Sequence, residues 1–134
     1  MDSEIIALET GSQPAAIDIT QQVAAFASGR GDGLVSVFCP HATAGIAIMG
    51  SGEGSDDDLI GLLDHLVPRD YPYRHRHGSP GHGADHVLPA VISPSATIPV
   101  LGGVLQLGTW QSVLFVDPNV DNPRRQVRLS FVGG

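Results

Sequence analysis

Every apolar run in this chain is short, and glycine or proline cuts each one off. "GLVSVFCP" (Gly33–Pro40) is the clearest, a near-continuous apolar run of strand length with Gly33 and Pro40 at its ends. "GIAIM" follows it, and "ATIPV", "VLQLGTWQSVLFVD" and "QVRLSFV" fill the C-terminal part. In the last of these, Val127, Leu129 and Phe131 share one face of a strand, with Arg128 and Ser130 on the other. "VLGG" between two of these runs reads as a hairpin turn. "SEIIALET" (Ser3–Thr10) reads as a first strand ending at Gly11. With 17 Gly and 10 Pro in 134 residues, the chain is β-rich and turn-rich.

Two segments break that pattern with helical spacing. Thr20 is the expected N-cap of a short helix that Gly29 stops, with Val23, Ala24, Phe26 and Ala27 on its apolar side. Ser55 with Asp58 three residues on gives a capping pattern. Leu59, Ile60, Leu62, Leu63 and Leu66 then recur at helical spacing until Pro68. Asp56, Asp57 and Asp58 lie at the positive end of that helix, where negative charge is favoured. "ADHVLPAVISPS" holds at most a helical turn, limited by Pro89. Between these, "VPRDYPYRHRHGSPGHG" (Val67–Gly83) has no period and reads as a long loop, a feature that in small domains is often functional.

The length and the absence of any repeat or linker indicate one domain, residues 1–134. Seven basic against fourteen acidic residues give −7, which argues against non-specific nucleic-acid binding. Cys39 is alone, so no intrachain disulfide forms and a reducing compartment fits. No leader pattern and no run of membrane-spanning length is present. A soluble cytoplasmic protein is the resulting expectation. The low charged fraction, 16 %, suits a chain that buries further surface in an oligomer.

Six histidines offer chemistry. His65 falls on the polar side of the second helix and reads as solvated. His75 and His77 alternate with Arg74 and Arg76 in "YRHRHG". A plain exposed loop is favoured there over a cationic loop that meets an anion or a partner subunit. His82 and His86 stand four apart with Asp85 between them; on a helix both imidazoles share a face, as two metal ligands do. His41, placed two residues before Thr43 between two strand-like runs, is the candidate third ligand, and the Asp-rich stretch a source of a carboxylate. Histidines satisfied by ordinary hydrogen bonds are the competing reading. Arg124, Arg125 and Arg128 close the chain, and guanidinium forks suit phosphate or carboxylate. In a strand Arg124 and Arg125 point to opposite faces, so one of them at most serves a given site. The single Trp110 is expected in the core, with Gln111 beside it. No P-loop, dinucleotide fingerprint or nucleophile elbow is present.

Six motifs, in order and spacing, resemble the YjbQ-like family: "PHATAG", "LVPRDYPYRH", "HGADH", "SPSATIPV", "LGTWQ" and "DNPRR". The resemblance covers nearly the whole chain. It implies an α+β fold with a β-sandwich-like antiparallel core and two or three short helices. It also implies a homotrimer with a pocket near a subunit interface.

The activity the family label carries is thiamine-phosphate synthase-like, joining a pyrimidine diphosphate to a thiazole phosphate with release of diphosphate. By position, the resemblance assigns His41, Thr43, Asp85 and Gln111 to catalysis. Gly45, Ser95, Thr97, Thr109, Trp110, Arg124 and Arg125 go to a small phosphorylated or anionic substrate. His41, His82 and His86 go to a divalent metal, zinc or magnesium. Ser93 and Gly108 flank these motifs, and Asp117 stands where the family usually has Glu. Two departures stand out. Met49, Gly50 and Ser51 replace the family's Asn-Glu-Asn, leaving Glu53 or Asp56 as the nearest acids. A short insertion around Pro118–Val120 lengthens the turn before the arginines. The alternative is a non-catalytic metal- or anion-binding homotrimer, or a structural trimer whose histidines only hold loops.

Overall fold

The computed structural model describes all residues, 1–134. Eight strands and three helices follow one another as β1 (Asp2–Glu9), β2 (Ala15–Asp18), α1 (Thr20–Ala27), β3 (Gly33–Phe38), β4 (Gly45–Met49), α2 (Ser55–Leu66), α3 (His82–Val87), β5 (Ser95–Leu101), β6 (Val104–Leu105), β7 (Ser112–Asp117) and β8 (Arg124–Gly133). A 3-10 turn, Leu88–Ala90, continues α3 past Pro89, which sits in its first positions, where proline's missing N–H is tolerated, rather than ending it. The strands form two antiparallel sheets, β1-β8-β3-β5-β6 and β2-β7-β4. This is the α+β, sandwich-like arrangement expected of the chain.

The two sheets face each other across one core. Val35, Val37, Ile98, Val100, Val127, Leu129 and Phe131 come from the larger sheet, and Ile46, Val113 and Phe115 from the smaller. Val23, Phe26 and Ala27 of α1 join them. The alternation in β8 is thus the one the sequence predicts: its odd-numbered apolar residues are inside and Arg128 outside. The smaller sheet is covered on both faces. Leu114 and Val116 of β7 turn away from the main core and pack with Leu63 of α2 and Leu88. That explains the unbroken apolar run in β7, since a strand buried on both faces loses its alternation.

Several details depart from expectation. The run "VLQLGTWQSVLFVD" is two strands, not one, because Gln106–Gln111 leave the sheet in a turn where Gln111 Oε1 accepts the Gly108 N–H at 2.8 Å. β2 carries no sequence signal; four residues, AAID, are too few for a period. Thr20 is not the cap of α1 but its first residue. Ile19 takes the cap position without a side-chain cap, and Asp18 Oδ1 just before it accepts the Thr20 N–H at 2.9 Å. Ser55 likewise begins α2 rather than capping it, and its hydroxyl donates to the Gly52 carbonyl at 2.6 Å. Of the apolar stripe on α2 only Leu63 is buried; Leu62 and Leu66 face solvent. Trp110, expected in the core, is 86 % exposed at the tip of the Gln106–Gln111 turn.

Candidate metal centre

α3 carries the two histidines that the spacing singled out, and both project to one side of it. His82 is buried and His86 half-buried, with their Nε2 atoms 2.9 Å apart. The long loop before α3 folds back over this helix. Gly83 makes the approach possible: a Cβ there would lie 2.7 Å from the His75 carbonyl and 2.7 Å from Tyr73 Cβ. The loop thereby delivers His75 and His77, whose rings lie 4.0 Å apart, against the α3 pair; His75 is 4.0 Å from the His86 ring. One ligand nitrogen from each of His75, His77, His82 and His86 falls within 4.8 Å of every other. The cluster borders an open hollow of about 450 Å³ that Tyr71, Tyr73 and Arg76 also line.

The tautomer of His82 is set from behind. Asp121 Oδ2 lies 2.8 Å from His82 Nδ1. The Ser79 backbone N–H, with help from the Ser79 hydroxyl and nearby His82, holds the Asp121 carboxyl below its usual range. An ionised Asp121 accepts the hydrogen bond that His82 Nδ1–H donates, which leaves the Nε2 lone pair turned into the cluster. Asn119, wholly buried, braces the same wall. Its Oδ1 accepts the N–H groups of Asp121 and Asn122, so its Nδ2 donates to Asp85 Oδ2 at 3.0 Å; against His82 Nδ1, whose one hydrogen faces Asp121, it only packs. Burial pushes the Asp85 carboxyl up, against the opposing pull of Arg69, whose Nη2 sits 2.7 Å from Asp85 Oδ1. Loss of water, and secondarily the charges of neighbouring imidazoles, lowers the pKa of His86 and of His75. Neutral imidazoles are the form that binds metal.

A buried polar chain runs from this wall into the core. The Asn119 N–H donates to Asp117 Oδ1 at 2.9 Å. Asp117 pairs with Arg125 Nε at 2.8 Å, and Arg125 Nη2 donates to Thr43 Oγ1 at 2.8 Å. Of the assigned residues, Thr43, Asp85, His82, His86 and Arg125 therefore belong to one connected region. Arg125 is buried with its guanidinium committed to Asp117 and Thr43, so it does not offer a free fork to phosphate.

The expected trio of His41, His82 and His86 is not what the fold gathers. His41 lies outside the cluster; its Nε2 accepts the Gln126 N–H at 2.9 Å, and burial lowers its pKa, with the Arg125 charge next in importance. Gly45 permits a close approach, but of the Ile92 carbonyl, 2.7 Å from where a Cβ would stand, not of a ligand. Ser95 and Thr97 lie exposed on β5, and Thr109, Trp110 and Gln111 on the exposed turn. Arg124 is exposed, 3.8 Å from Glu9. Asp56 is occupied by the Ser51 hydroxyl and the Gly52 N–H.

Sequence reasoning missed His75 and His77 as members of the cluster, and Asn119 and Asp121 altogether. A signal for the first pair existed: residues two apart in an extended segment face the same way. Asn119 lies in the inserted turn, where no motif pointed; Asp121 opens the "DNPRR" motif, whose arginines alone were given a role.

A family model for the UPF0047 protein YjbQ-like family matches residues 4–134. UPF0047 protein Rv2556c of Mycobacterium tuberculosis is 56 % identical over 134 residues, covering 100 % of both chains. UPF0047 protein YugU of Bacillus subtilis is 34 % identical, over 87 % of this chain and 88 % of its own. Among solved structures, hypothetical protein APE1520 from Aeropyrum pernix superposes with a TM-score of 0.90 at 31 % identity, covering 100 % of each chain. An uncharacterised YjbQ/UPF0047 protein of Clostridium acetobutylicum gives 0.84 at 32 % identity, over 96 % of this chain and 99 % of that one. The chain belongs to the UPF0047, YjbQ-like, family.

Proposed function

We propose that this protein is a small metalloenzyme for a phosphorylated or otherwise anionic small molecule, with zinc held by His75, His77, His82 and His86. The convergence of four imidazoles within 4.8 Å carries this reading. The Asp121 carboxylate 2.8 Å behind one of them adds the second-sphere partner that orients ligating histidines. An all-nitrogen donor set suits zinc; magnesium would ask for oxygen ligands. An ion bound there supplies Lewis-acid polarisation of a phosphoryl oxygen. Arg76, at the rim of the same hollow, supplies the cation for an anionic group, the role expected of Arg124 and Arg125. The finer activity in this reading is thiamine-phosphate synthase-like condensation with loss of diphosphate, in a reducing, cytoplasmic setting that suits the free, buried Cys39.

Elemental analysis of the untagged protein is the first test. The expected result is stoichiometric zinc, lost when His82 and His86 are both changed to Ala. A protein that holds no divalent ion under any loading would end the proposal. Zinc binding with no product from a pyrimidine diphosphate and a thiazole phosphate would leave a non-catalytic metal- or anion-binding protein. The absence of an acid at Met49–Ser51 favours that second reading.

The homotrimer is likewise a proposal. Its support is the outer face of the larger sheet, which no element of this chain covers. Ile5, Leu34, Phe38, Leu101 and Val132 are all at least 39 % exposed there.

A further inference from the structure

We propose that the hollow between α2 and α3 is a second ligand site, for a small cation with an apolar, ring-sized body. The hollow measures about 370 Å³, a size suited to a small molecule. Ile60, Leu63, Val67, Ala84 and Leu88 give it apolar walls. Neither His82 nor His86 is among them, so the inference stands apart from the metal reading.

Two observations point to a ligand. The first is Gly61, which lines the hollow from the middle of α2. Glycine weakens a helix interior, and close approach of a ligand to the backbone is one of its uses. Here no protein atom lies within 4 Å of where its Cβ would be. Gly61 is exposed, and the space over its Cα is open at the mouth of the hollow, where a bound ring could reach the helix backbone.

The second is the charge. Asp64, Asp85 and Arg69 are the ionisable groups on the walls. Arg69 and Asp85 neutralise one another at 2.7 Å. Asp64 is exposed at the rim and makes no side-chain hydrogen bond or ion pair within the chain. One carboxylate therefore remains at an otherwise apolar hollow, and it selects a ligand carrying positive charge and N–H donors.

Benzamidine, a planar cation, is a suitable probe, with benzoate and toluene as its anionic and neutral counterparts. The experiment uses isotope-labelled protein freed of metal with a chelator and follows backbone amide resonances. Benzamidine is expected to shift the amides of Gly61, Asp64, Ala84 and Leu88 saturably. Asp64→Asn should weaken that binding by about fivefold, the scale of a partly exposed ion pair. Gly61→Leu should abolish it while the remaining amides keep their positions. No saturable shift at these amides up to about 20 mM would overturn the proposal. So would benzoate binding as tightly as benzamidine, or an affinity untouched by both substitutions. Should Gly61→Leu fail to fold, Asp64→Asn decides alone, because Asp64 is exposed and its change leaves the core intact.

Discussion

At the scale of single residues, the site is organised by groups to which sequence reasoning gave no role. Asp121 fixes which nitrogen of His82 is free. Asp121→Asn is therefore expected to lower zinc affinity by roughly 10- to 100-fold, as removal of such outer partners does, read by competition with a chromogenic chelator. Arg125 makes a different prediction. Its partner Asp117 is wholly buried, so Arg125→Met strands a charge and should cost roughly 3–5 kcal/mol in chemical denaturation. Titration has a definite sign as well. His41, His75 and His86 all hold protons less tightly in the fold than the ordinary value of 6.5, burial being the main cause. The unfolded chain then binds more protons below that value. Their contribution to stability is complete above pH 6.5 and is lost as pH falls through it toward the folded values. Urea midpoints measured from pH 8 down to 5 should decline, and less steeply in His41→Asn.

At the scale of elements, legibility followed local periodicity. β8 and α2 were readable because their spacing repeats over two or more turns of pattern, and β3 because Gly33 and Pro40 bracket it. β2 was not, being four residues whose pairing partner, β7, lies far along the chain. The histidine cluster was half legible for the same reason. His82 and His86 are a local, helical pair. His75 and His77 join them only because the loop doubles back past Gly83, a contact between segments that spacing does not encode. Gly83→Ala tests that account. Its methyl group would collide with backbone and with Tyr73, so the loop must lift; overpacking of this kind costs about 1–3 kcal/mol. Zinc affinity is expected to fall with melting temperature even though no ligand is changed.

For the whole molecule, the layering is a larger sheet, a smaller sheet and then α2 with α3, with one outer face left bare. Light scattering on the wild type is expected to give close to three times the 14.0 kDa chain mass. Phe38→Asp on that bare face should reduce it to a single chain, because a buried, unpaired carboxylate opposes association. A monomeric wild type would exclude the trimer.

β7 is the wall that both cores share, and its last residue, Asp117, anchors the polar chain leading to His82. Its amide protons should accordingly be among the last to exchange with heavy water, released only when the entire domain opens. His82 and His86 are thus tied through Asn119 to that wall, while His75 and His77 reach them from the surface loop. The zinc proposed above would therefore meet two imidazoles fixed by a helix and two carried by a loop.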